Sequence, residues 1–323
     1  MATTDLAGKR VVIALGGNAL GDDPKQQLER VDQTAANVAA MVKEGIDVVV
    51  THGNGPQVGV IDQAFEVAHG AAPKQVPFMP LQDCNAMSQG YIGAQLTCAL
   101  MNQMHAHSVM RSVVDVVTHV VVDANDPAFK DLEKPIGSFM GKQQAAALSK
   151  AEGVPVKEDS GRGWRRVVAS PRPQRILELG SIRDLMDAGY VVVACGGGGM
   201  PVTERDDAYT EVEAVVDKDL TSSILAWKLK ADMLVILTAV ERAYLDFGKP
   251  TQSPIEAMTA QEARAYMAQG QFAPGSMLPK VQACVEFVAS NTHGGTALIT
   301  SLARAAEALD GKSYDLQAEG SPY

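Results

Sequence analysis

The sequence predicts an α/β fold built on one open, mostly parallel sheet with helices on both faces. Short apolar runs alternate along the chain with segments that have helical spacing, and this order is typical of a doubly wound sheet. The runs are apolar throughout, as strands buried on both faces require. Three of the runs end in clusters of glycine, which predicts close loops at one edge of the sheet.

The first predicted unit is a strand, a helix and a second strand. The strands are the β-branched runs at residues 10–15 and 47–51. Between them, apolar residues recur at helical spacing over residues 28–42. Glycines follow each strand at once, in Gly16-Gly17-Asn18 and in Gly53-Asn54-Gly55. This unit therefore brings two glycine loops to the same edge of the sheet.

The same pattern returns in the second half of the chain. An apolar run at residues 190–195 leads into the four glycines at 196–199. A helix is predicted over about 217–230, before a strand at 233–238. A further strand is predicted at 296–300. These elements extend the parallel sheet.

Two segments lie outside this rhythm, although residues 1–323 are predicted to form a single domain. Residues 123–173 are polar and rich in Lys, Arg, Gly and Pro, which favours a small protruding subdomain that acts as a lid. The alternative is a long surface excursion without a function. At the other end, a last helix is predicted through Leu309, and residues 311–323 resemble a polar tail.

Composition and charge exclude several classes of protein. The formal net charge of the 323 residues is -10, whereas nucleic acids and anionic membrane surfaces are bound by an excess of Lys and Arg. No apolar run approaches the roughly 18 residues of a membrane span, and the first residues contain no signal core. The four cysteines lack the spacing of a zinc or redox motif. We therefore expect a cytoplasmic protein that binds neither nucleic acids nor membranes.

The glycine clusters at the strand ends predict sites for phosphate groups. Ligands of open parallel sheets bind beyond the carboxyl ends of the strands, and glycine lets successive backbone N–H groups converge on phosphate oxygens. Two common nucleotide motifs are not matched. Residues 16–21 lack the spacing of the Rossmann fingerprint, and residues 137–143 are one residue short of a P-loop and lack its Ser or Thr.

Longer motifs carry a resemblance to a known family. They are, in chain order, ALGGNAL from Ala14, THGNGPQVG from Thr51, AMSQG from Ala86, KPIG from Lys134, RGWRRVV from Arg162, GGGGMPV from Gly196, VDKDL from Val216 and FAPGSMLPKV from Phe272. Over about residues 10–310 the sequence resembles carbamate kinase, which has the amino-acid kinase fold. Three positions depart from the family pattern: Asn85 replaces a Gly, Ala94 a common aromatic residue, and Ala239 a frequent Asp.

The resemblance implies both a fold and a reaction. The fold is the three-layer sandwich of the amino-acid kinases, and the reaction is the reversible, Mg²⁺-dependent conversion of carbamoyl phosphate and ADP into carbamate and ATP. A carboxylate-type acceptor is already an anion and needs no general base, so the task is to gather negative charges in line. Lys side chains and backbone N–H groups suit that task. The expected cofactor is Mg²⁺ bound with ATP or ADP, and the expected assembly is a homodimer.

The resemblance also implies roles for particular residues. Lys218 and Lys280 contact the transferring phosphoryl group, Asp219 orients the lysines or holds Mg²⁺ through water, and Lys134 reaches in from the lid. No residue is expected to ligate a metal directly. The expected contacts of the phosphoryl group and the acid are Gly16, Gly17, Asn18, Gly53, Asn54 and Gly55. The expected contacts of the nucleotide are Gly196, Gly197, Gly198, Tyr244 beside the adenine, and Met277.

Two other functions remain open at the level of the sequence. One is a sister amino-acid kinase that phosphorylates an acid such as glutamate, although Ala14 stands where several sister families place a phosphate-binding Lys. The other is a non-catalytic nucleotide-binding regulator on the same fold. Retention of all four expected catalytic residues argues against a regulator. An assay of ATP formation separates these functions.

Overall fold

The computed structural model describes residues 7–16, 24–159, 161–304 and 316–317, and its α/β architecture confirms the predicted fold class. The strands are β1 (Arg10–Leu15), β2 (Asp47–His52), β3 (Val113–Val116), β4 (His119–Val122), β5 (Lys134–Met140), β6 (Val156–Glu158), β7 (Trp164–Val168), β8 (Pro173–Ile176), β9 (Val191–Ala194), β10 (Met200–Arg205), β11 (Ala208–Glu211), β12 (Met233–Thr238), β13 (Tyr244–Leu245), β14 (Ser253–Pro254), β15 (Met258–Thr259), β16 (Thr296–Ser301) and β17 (Leu316–Gln317). The helices are α1 (Pro24–Lys43), α2 (Gln57–Ala71), α3 (Leu81–Ala106), α4 (Lys142–Glu152), α5 (Leu179–Asp187), α6 (Lys218–Lys228), α7 (Ala260–Ala268) and α8 (Met277–Ser290).

The main sheet has eight strands in the order β15-β17-β16-β12-β1-β2-β9-β3. From β16 to β3 every neighbouring pair is parallel, while β16 and β17 are antiparallel. The register aligns Leu15 at the end of β1 with Leu237 of β12 and with His52 of β2. The carboxyl ends of these three strands therefore meet at one edge of the sheet.

Two hydrophobic cores lie on opposite faces of the main sheet. Val12 and Ala14 of β1 point to a core that also contains residues of α5, α6, α7 and α8. Val11 and Ile13, which alternate with them, point to a core formed with α1 and α3. All four side chains are fully buried. Both faces of β1 are thus covered, which explains why its sequence is apolar throughout.

A second sheet has the strand order β11-β10-β4-β8. The inserted segment is the part of the chain between two of its strands, β4 and β8. Within this excursion β5, β7 and β6 form a three-stranded antiparallel sheet, accompanied by α4. A small core joins the segment to the main body, since Ile136 of β5 and Val168 of β7 pack in one cluster with Val58 of α2. Its action as a lid remains a prediction.

The structure shifts several predicted boundaries. The strand predicted at 190–195 ends at Ala194 because Cys195 adopts a left-handed conformation, with φ 54°, and starts the glycine turn. Helix α6 begins at Lys218 because Asp217 is its N-cap. After β16 the residues Leu302–Arg304 form a 3₁₀ turn, and the remainder of the helix predicted through Leu309 lies outside the described residues.

The predicted tail contributes to the main sheet. Its residues Leu316–Gln317 pair with β15 and β16, while the rest of residues 311–323 lies outside the described part of the chain. In the part that the structure describes, no helix combines the length and the apolar character that crossing a membrane requires.

Candidate active site

A cavity of about 250 Å³ lies at the carboxyl edge of the main sheet. Its walls are the loop between β2 and α2, the beginnings of α6 and α8, and strand β5 of the inserted segment. The cavity stands where open parallel sheets bind their ligands.

Three helices direct their N-termini at this cavity. Helices α2, α6 and α8 begin at Gln57, Lys218 and Met277, and residues immediately before each start line the cavity. The first N–H groups of a helix lack partners within the helix, and the helix dipole places partial positive charge at the same end. The cavity is therefore suited to anionic groups such as phosphates.

The carboxylate of Asp219 lies between two lysine ammonium groups at the cavity wall. Lys280 Nζ is 3.0 Å from Asp219 Oδ2, and Lys218 Nζ donates a hydrogen bond to Asp219 Oδ1. The exposed fractions of the side chains are 3% for Asp219, 12% for Lys218 and 17% for Lys280. Because buried charges are costly unless paired, this arrangement holds the two ammonium groups in fixed positions.

The protonation of this cluster follows from its burial and its charges. Burial would raise the pKa of Asp219, but the charges of Lys218 and Lys280, with hydrogen bonds from both, lower that pKa to about 2. Burial lowers the pKa of Lys218, and repulsion from Lys280 lowers it further, against the attraction of Asp219. An anion between the lysines would relieve their mutual repulsion.

Lys134 links the inserted segment to the same cluster. It is the first residue of β5, and its Nζ is 3.2 Å from Oδ2 of Asp217. The other oxygen of Asp217 accepts a hydrogen bond of 2.9 Å from the backbone N–H of Asp219 and so caps α6. All four residues expected to be catalytic, Lys134, Lys218, Asp219 and Lys280, therefore line one cavity.

The ends of β1 and β2 lie side by side, and the backbone N–H of Gly53 donates a hydrogen bond of 3.1 Å to the carbonyl oxygen of Leu15. Gly53, Asn54 and Gly55 line the cavity. Gly16 lies against β12, where a Cβ would be 2.7 Å from the carbonyl oxygen of Leu237, so a larger residue does not fit. Two other residues expected to bind the phosphoryl group lie outside the described residues, namely Gly17 and Asn18.

The glycine turn after β9 lies deeper than the other loops. Residues Gly196–Gly198 are buried, and of the three only Gly197 lines the cavity. Gly197 and Gly198 have φ of 62° and 88°, and a Cβ on Gly198 would be 2.5 Å from the carbonyl oxygen of Val216. The structure does not place this turn in the pocket that holds Tyr244 and Met277.

Tyr244 and Met277 line a second, mainly apolar pocket of about 190 Å³. Ser276, at the start of α8, lines both this pocket and the cavity, so the two spaces adjoin. The ring of Tyr244 is 6.0 Å from that of Phe247, centroid to centroid. An apolar pocket with aromatic walls beside an anion site suits a nucleotide, with its base in the pocket and its phosphates in the cavity. Ala239 also lines this pocket.

Sequence reasoning did not assign two charged residues that line the cavity, Arg165 and Asp217. Arg165 of β7 lines the cavity, and it is held by hydrogen bonds of 3.0 Å to the Gly137 carbonyl and 3.1 Å to Asp159. Its signal was the run of arginines from Arg162, from which sequence alone could not select one. Asp217 carried a signal beside Lys218, where a carboxylate before a helix predicts an N-cap.

His52, the last residue of β2, is hydrogen-bonded to the loop that begins at Gly53. Its Nδ1 is 2.7 Å from the Gly53 carbonyl oxygen, so this nitrogen carries the proton and donates it. Its Nε2 is buried and has no hydrogen-bond partner among the described residues. Burial is the main reason why the pKa of His52 falls to about 4, and the charge of Lys218 adds to it. His52 is therefore neutral at neutral pH.

The described part of the chain provides carboxylates at the cavity but no cluster that would ligate a metal ion by itself. Among the described residues, no group of three or more His, Cys, Asp and Glu side chains is arranged to hold a metal ion. The cavity carboxylates of Asp217 and Asp219 are each paired with lysine. Mg²⁺ is commonly bound through one or two carboxylates together with phosphates and water. Asp217 and Asp219 are the two carboxylates that line the cavity.

Comparisons with known proteins agree with this architecture. Residues 9–301 match the amino acid kinase family. Carbamate kinase 3 of Staphylococcus aureus is 47% identical over 303 residues, which cover 94% of this chain and 97% of that protein. The carbamate kinase of Clostridium perfringens is 46% identical over 309 residues, with coverage of 94% and 98%. The structure of Giardia lamblia carbamate kinase bound to AMP-PNP superposes with a TM-score of 0.87 at 40% identity, covering 98% of this chain and 100% of that chain.

Proposed function

The chain belongs to the carbamate kinases of the amino acid kinase family, and we propose that it transfers a phosphoryl group reversibly between carbamoyl phosphate and ADP. The products in this direction are carbamate and ATP. The observation that carries the proposal is the position of Asp219 between Lys218 and Lys280, beside three helix N-termini. Such a site gathers several anionic groups, which is the main requirement of phosphoryl transfer.

The proposed reaction needs no proton transfer. The bond between phosphorus and the carboxyl oxygen of carbamoyl phosphate breaks, and its electron pair remains on carbamate, which leaves as an anion. A β-phosphate oxygen of ADP forms the new bond to phosphorus. Neutral His52 lies below the loop, and the cavity carboxylates are paired with lysines, so a general base is neither supplied nor required.

The cationic residues would stabilise the charge that spreads over the phosphoryl oxygens. Lys218 and Lys280 would contact these oxygens from the floor of the cavity, with Asp219 holding both in place. Lys134 and Arg165 would approach from the inserted segment. Two carboxylates against four cations leave the cavity positive in a chain of net charge -10, which favours anionic substrates.

The nucleotide would span both pockets. Its base would occupy the apolar pocket beside Tyr244 and Met277, and its phosphates would pass Ser276 into the cavity. The glycine turn at 196–198 would border the phosphates through Gly197. Phosphate oxygens would hold Mg²⁺ near Asp217 and Asp219. When bound, Mg²⁺ neutralises phosphate charge and helps to orient the nucleotide.

The acid would bind at the loops formed by Gly16 to Asn18 and Gly53 to Gly55. A second carboxylate, such as glutamate carries, would need a further cation. Arg162 is largely exposed and stacks on Phe139, and Arg166 is paired with Asp62 and Glu66 of α2. Neither of these two arginines lines the cavity, and Arg165, which does, is already bound to the Gly137 carbonyl and to Asp159. This supports a small acid as the substrate.

The decisive experiment incubates purified protein with ADP, Mg²⁺ and carbamoyl phosphate and measures ATP. In parallel, glutamate, acetylglutamate and aspartate are offered with ATP, and kcat/KM is compared because that ratio defines discrimination. We expect carbamoyl phosphate to exceed the other substrates by orders of magnitude. Phosphorylation of glutamate without ATP from carbamoyl phosphate would instead assign the chain to a sister activity.

We also propose that the protein acts as a homodimer in the cytoplasm, as the family resemblance implies. Exposed apolar side chains on α1 and α3, including Leu28 and Met101, give these helices a surface that a second copy could cover. Light scattering coupled to size exclusion should give twice the mass of the 34.2 kDa chain. A monomer at micromolar concentration would contradict this assembly.

A further inference from the structure

Asn85 connects the glycine turn after β9 to a residue of the cavity. Its side chain, on α3, is fully buried. Its Nδ2 is 3.0 Å from the carbonyl oxygen of Gly199, and its Oδ1 is 2.7 Å from Nδ2 of Asn54. The hydroxyl of Ser88 donates to the Asn85 backbone carbonyl at 2.7 Å, one turn along the same helix. Asn85 is also one of the three departures from the family pattern.

These contacts determine how both amides are oriented. A backbone carbonyl only accepts hydrogen bonds, so the nitrogen of Asn85 must face Gly199. The oxygen of Asn85 then faces Asn54, which must donate with its own nitrogen. The oxygen of Asn54 is consequently directed away from Asn85. The carbonyl of Gly199, which is not bonded to Asn54, thus sets the orientation of the Asn54 amide through Asn85.

The oxygen of Asn54 is available to a ligand. Asn54 lines the cavity, and no described residue donates a hydrogen bond to its Oδ1. Asn54 Oδ1 has no such donor, yet it is not a fully buried atom, so it keeps accessible surface on the residue that lines the cavity. The surrounding groups are mostly donors, namely lysine ammonium groups and helix N-termini. Among them, Asn54 Oδ1 presents an acceptor, which matches a ligand N–H.

We propose that Asn85 is a positioning residue that directs Asn54 Oδ1 at the amino group of carbamoyl phosphate. The site would then distinguish carbamoyl phosphate from acyl phosphates, whose acyl group has no N–H. The amino group is the hydrogen-bond donor that distinguishes carbamoyl phosphate from acetyl phosphate, which has a methyl group there. A site built to bind an N–H group rejects the analogue that lacks it. This inference rests on the proposed function.

The test compares carbamoyl phosphate with acetyl phosphate as phosphoryl donors to ADP. For each donor, kcat/KM for ATP formation is measured in the wild type and in Asn85→Ala. We expect the ratio of the two values to fall by about tenfold in Asn85→Ala, through a loss with carbamoyl phosphate and little change with acetyl phosphate. A merely structural role for Asn85 would lower both values together and leave the ratio unchanged.

A double-mutant cycle identifies Asn54 as the intermediary. Asn54→Ala should lower the same ratio, and the double variant should lower it no further than Asn54→Ala alone. Additive losses would show that Asn85 does not act through Asn54. If Asn85→Ala does not fold, Asn85→Gly replaces it, since the family pattern has Gly at this position.

Asn291 provides a matched control. It is also buried, and its Nδ2 donates to the Ala231 carbonyl at 2.8 Å, before β12 and therefore at the opposite edge of the sheet. Asn291→Ala should lower the midpoint of thermal unfolding without changing the ratio. An unchanged ratio in Asn85→Ala would overturn the inference and leave the proposed function standing. If the wild type makes no ATP from carbamoyl phosphate, the proposed function fails, and this inference fails with it.

Discussion

Gly59 of α2 packs directly against the backbone of Gly137 in β5. A Cβ on Gly59 would lie 2.8 Å from the amide nitrogen of Gly137, a distance that real Cβ contacts do not show. Nearby, Arg166 of β7 reaches α2, where its Nη1 is 3.2 Å from Asp62 Oδ2 and also pairs with Glu66. These contacts hold the inserted segment against α2, with Lys134 over the cavity.

Gly59→Ala should therefore disturb the approach of the inserted segment. The added methyl group must displace β5, and Lys134 moves with it, so we expect kcat/KM for ATP formation to fall by about tenfold or more. The measurement is steady-state kinetics on purified variants. Gly70→Ala is the matched control, because Gly70 lies in the same helix and a Cβ there meets nothing within 4 Å. Equal activities of the two variants would show that the contact does not position the segment.

The inserted segment should move as a lid when substrates bind. Lys134 and Arg165 belong to this segment and line the cavity, so bound anions would stabilise the closed position of the segment. Amide hydrogen exchange, measured with and without ADP, Mg²⁺ and carbamoyl phosphate, should slow across residues 123–173. Helix α5, which packs in the core on one face of the sheet, serves as an internal reference. Exchange in 123–173 that is the same with and without ligands would rule out the lid.

Loss of either central lysine should abolish most of the activity. Lys218→Ala and Lys280→Ala each remove an ammonium group that Asp219 holds and that we propose contacts the transferring phosphoryl group. We therefore expect turnover to fall by at least about 10²-fold. Steady-state kinetics on folded protein measures this loss. Lys43→Ala, at the exposed end of α1, should retain wild-type turnover. Near-normal turnover in both central variants would remove these lysines from the mechanism.

Burial of His52 should make stability depend on pH between about 4 and 6.5. In the folded protein its pKa is about 4, whereas the unfolded chain has the ordinary value of 6.5. Within this window the unfolded state binds more protons, so the free energy of unfolding rises with pH. The expected contribution is on the order of 3 kcal/mol across the window, and it is constant above pH 6.5.

Comparison with His52→Asn isolates this contribution. Asn keeps a donor for the Gly53 carbonyl but does not titrate. Asp62 and Asp115 have pKa values raised to about 6, mainly by burial, and they oppose the trend of His52 equally in both proteins. Urea unfolding at several pH values should show that the stability difference, wild type minus variant, increases from pH 4 to 6.5. A difference that is independent of pH would mean that His52 protonates normally in the folded state.

The sequence by itself determined the elements whose signals are local. Strand β1 could be predicted because a strand covered on both faces is apolar at every position, and the glycine loops because close backbone approach requires the absence of a side chain. The start of α6 was signalled within one residue by Asp217, whose side chain caps the first turn. Long motifs added the reaction class and the four charged residues of the site by resemblance.

Only the tertiary structure decided which distant residues meet. Lys280 is 61 positions from Asp219 along the chain, whereas Lys218 is its neighbour. Helices α6 and α8 must therefore pack side by side before one carboxylate can reach both ammonium groups. The contact between Asn54 and Asn85 likewise depends on α3 lying under the loop after β2. Such contacts depend on packing geometry between elements, which no local pattern of residues encodes.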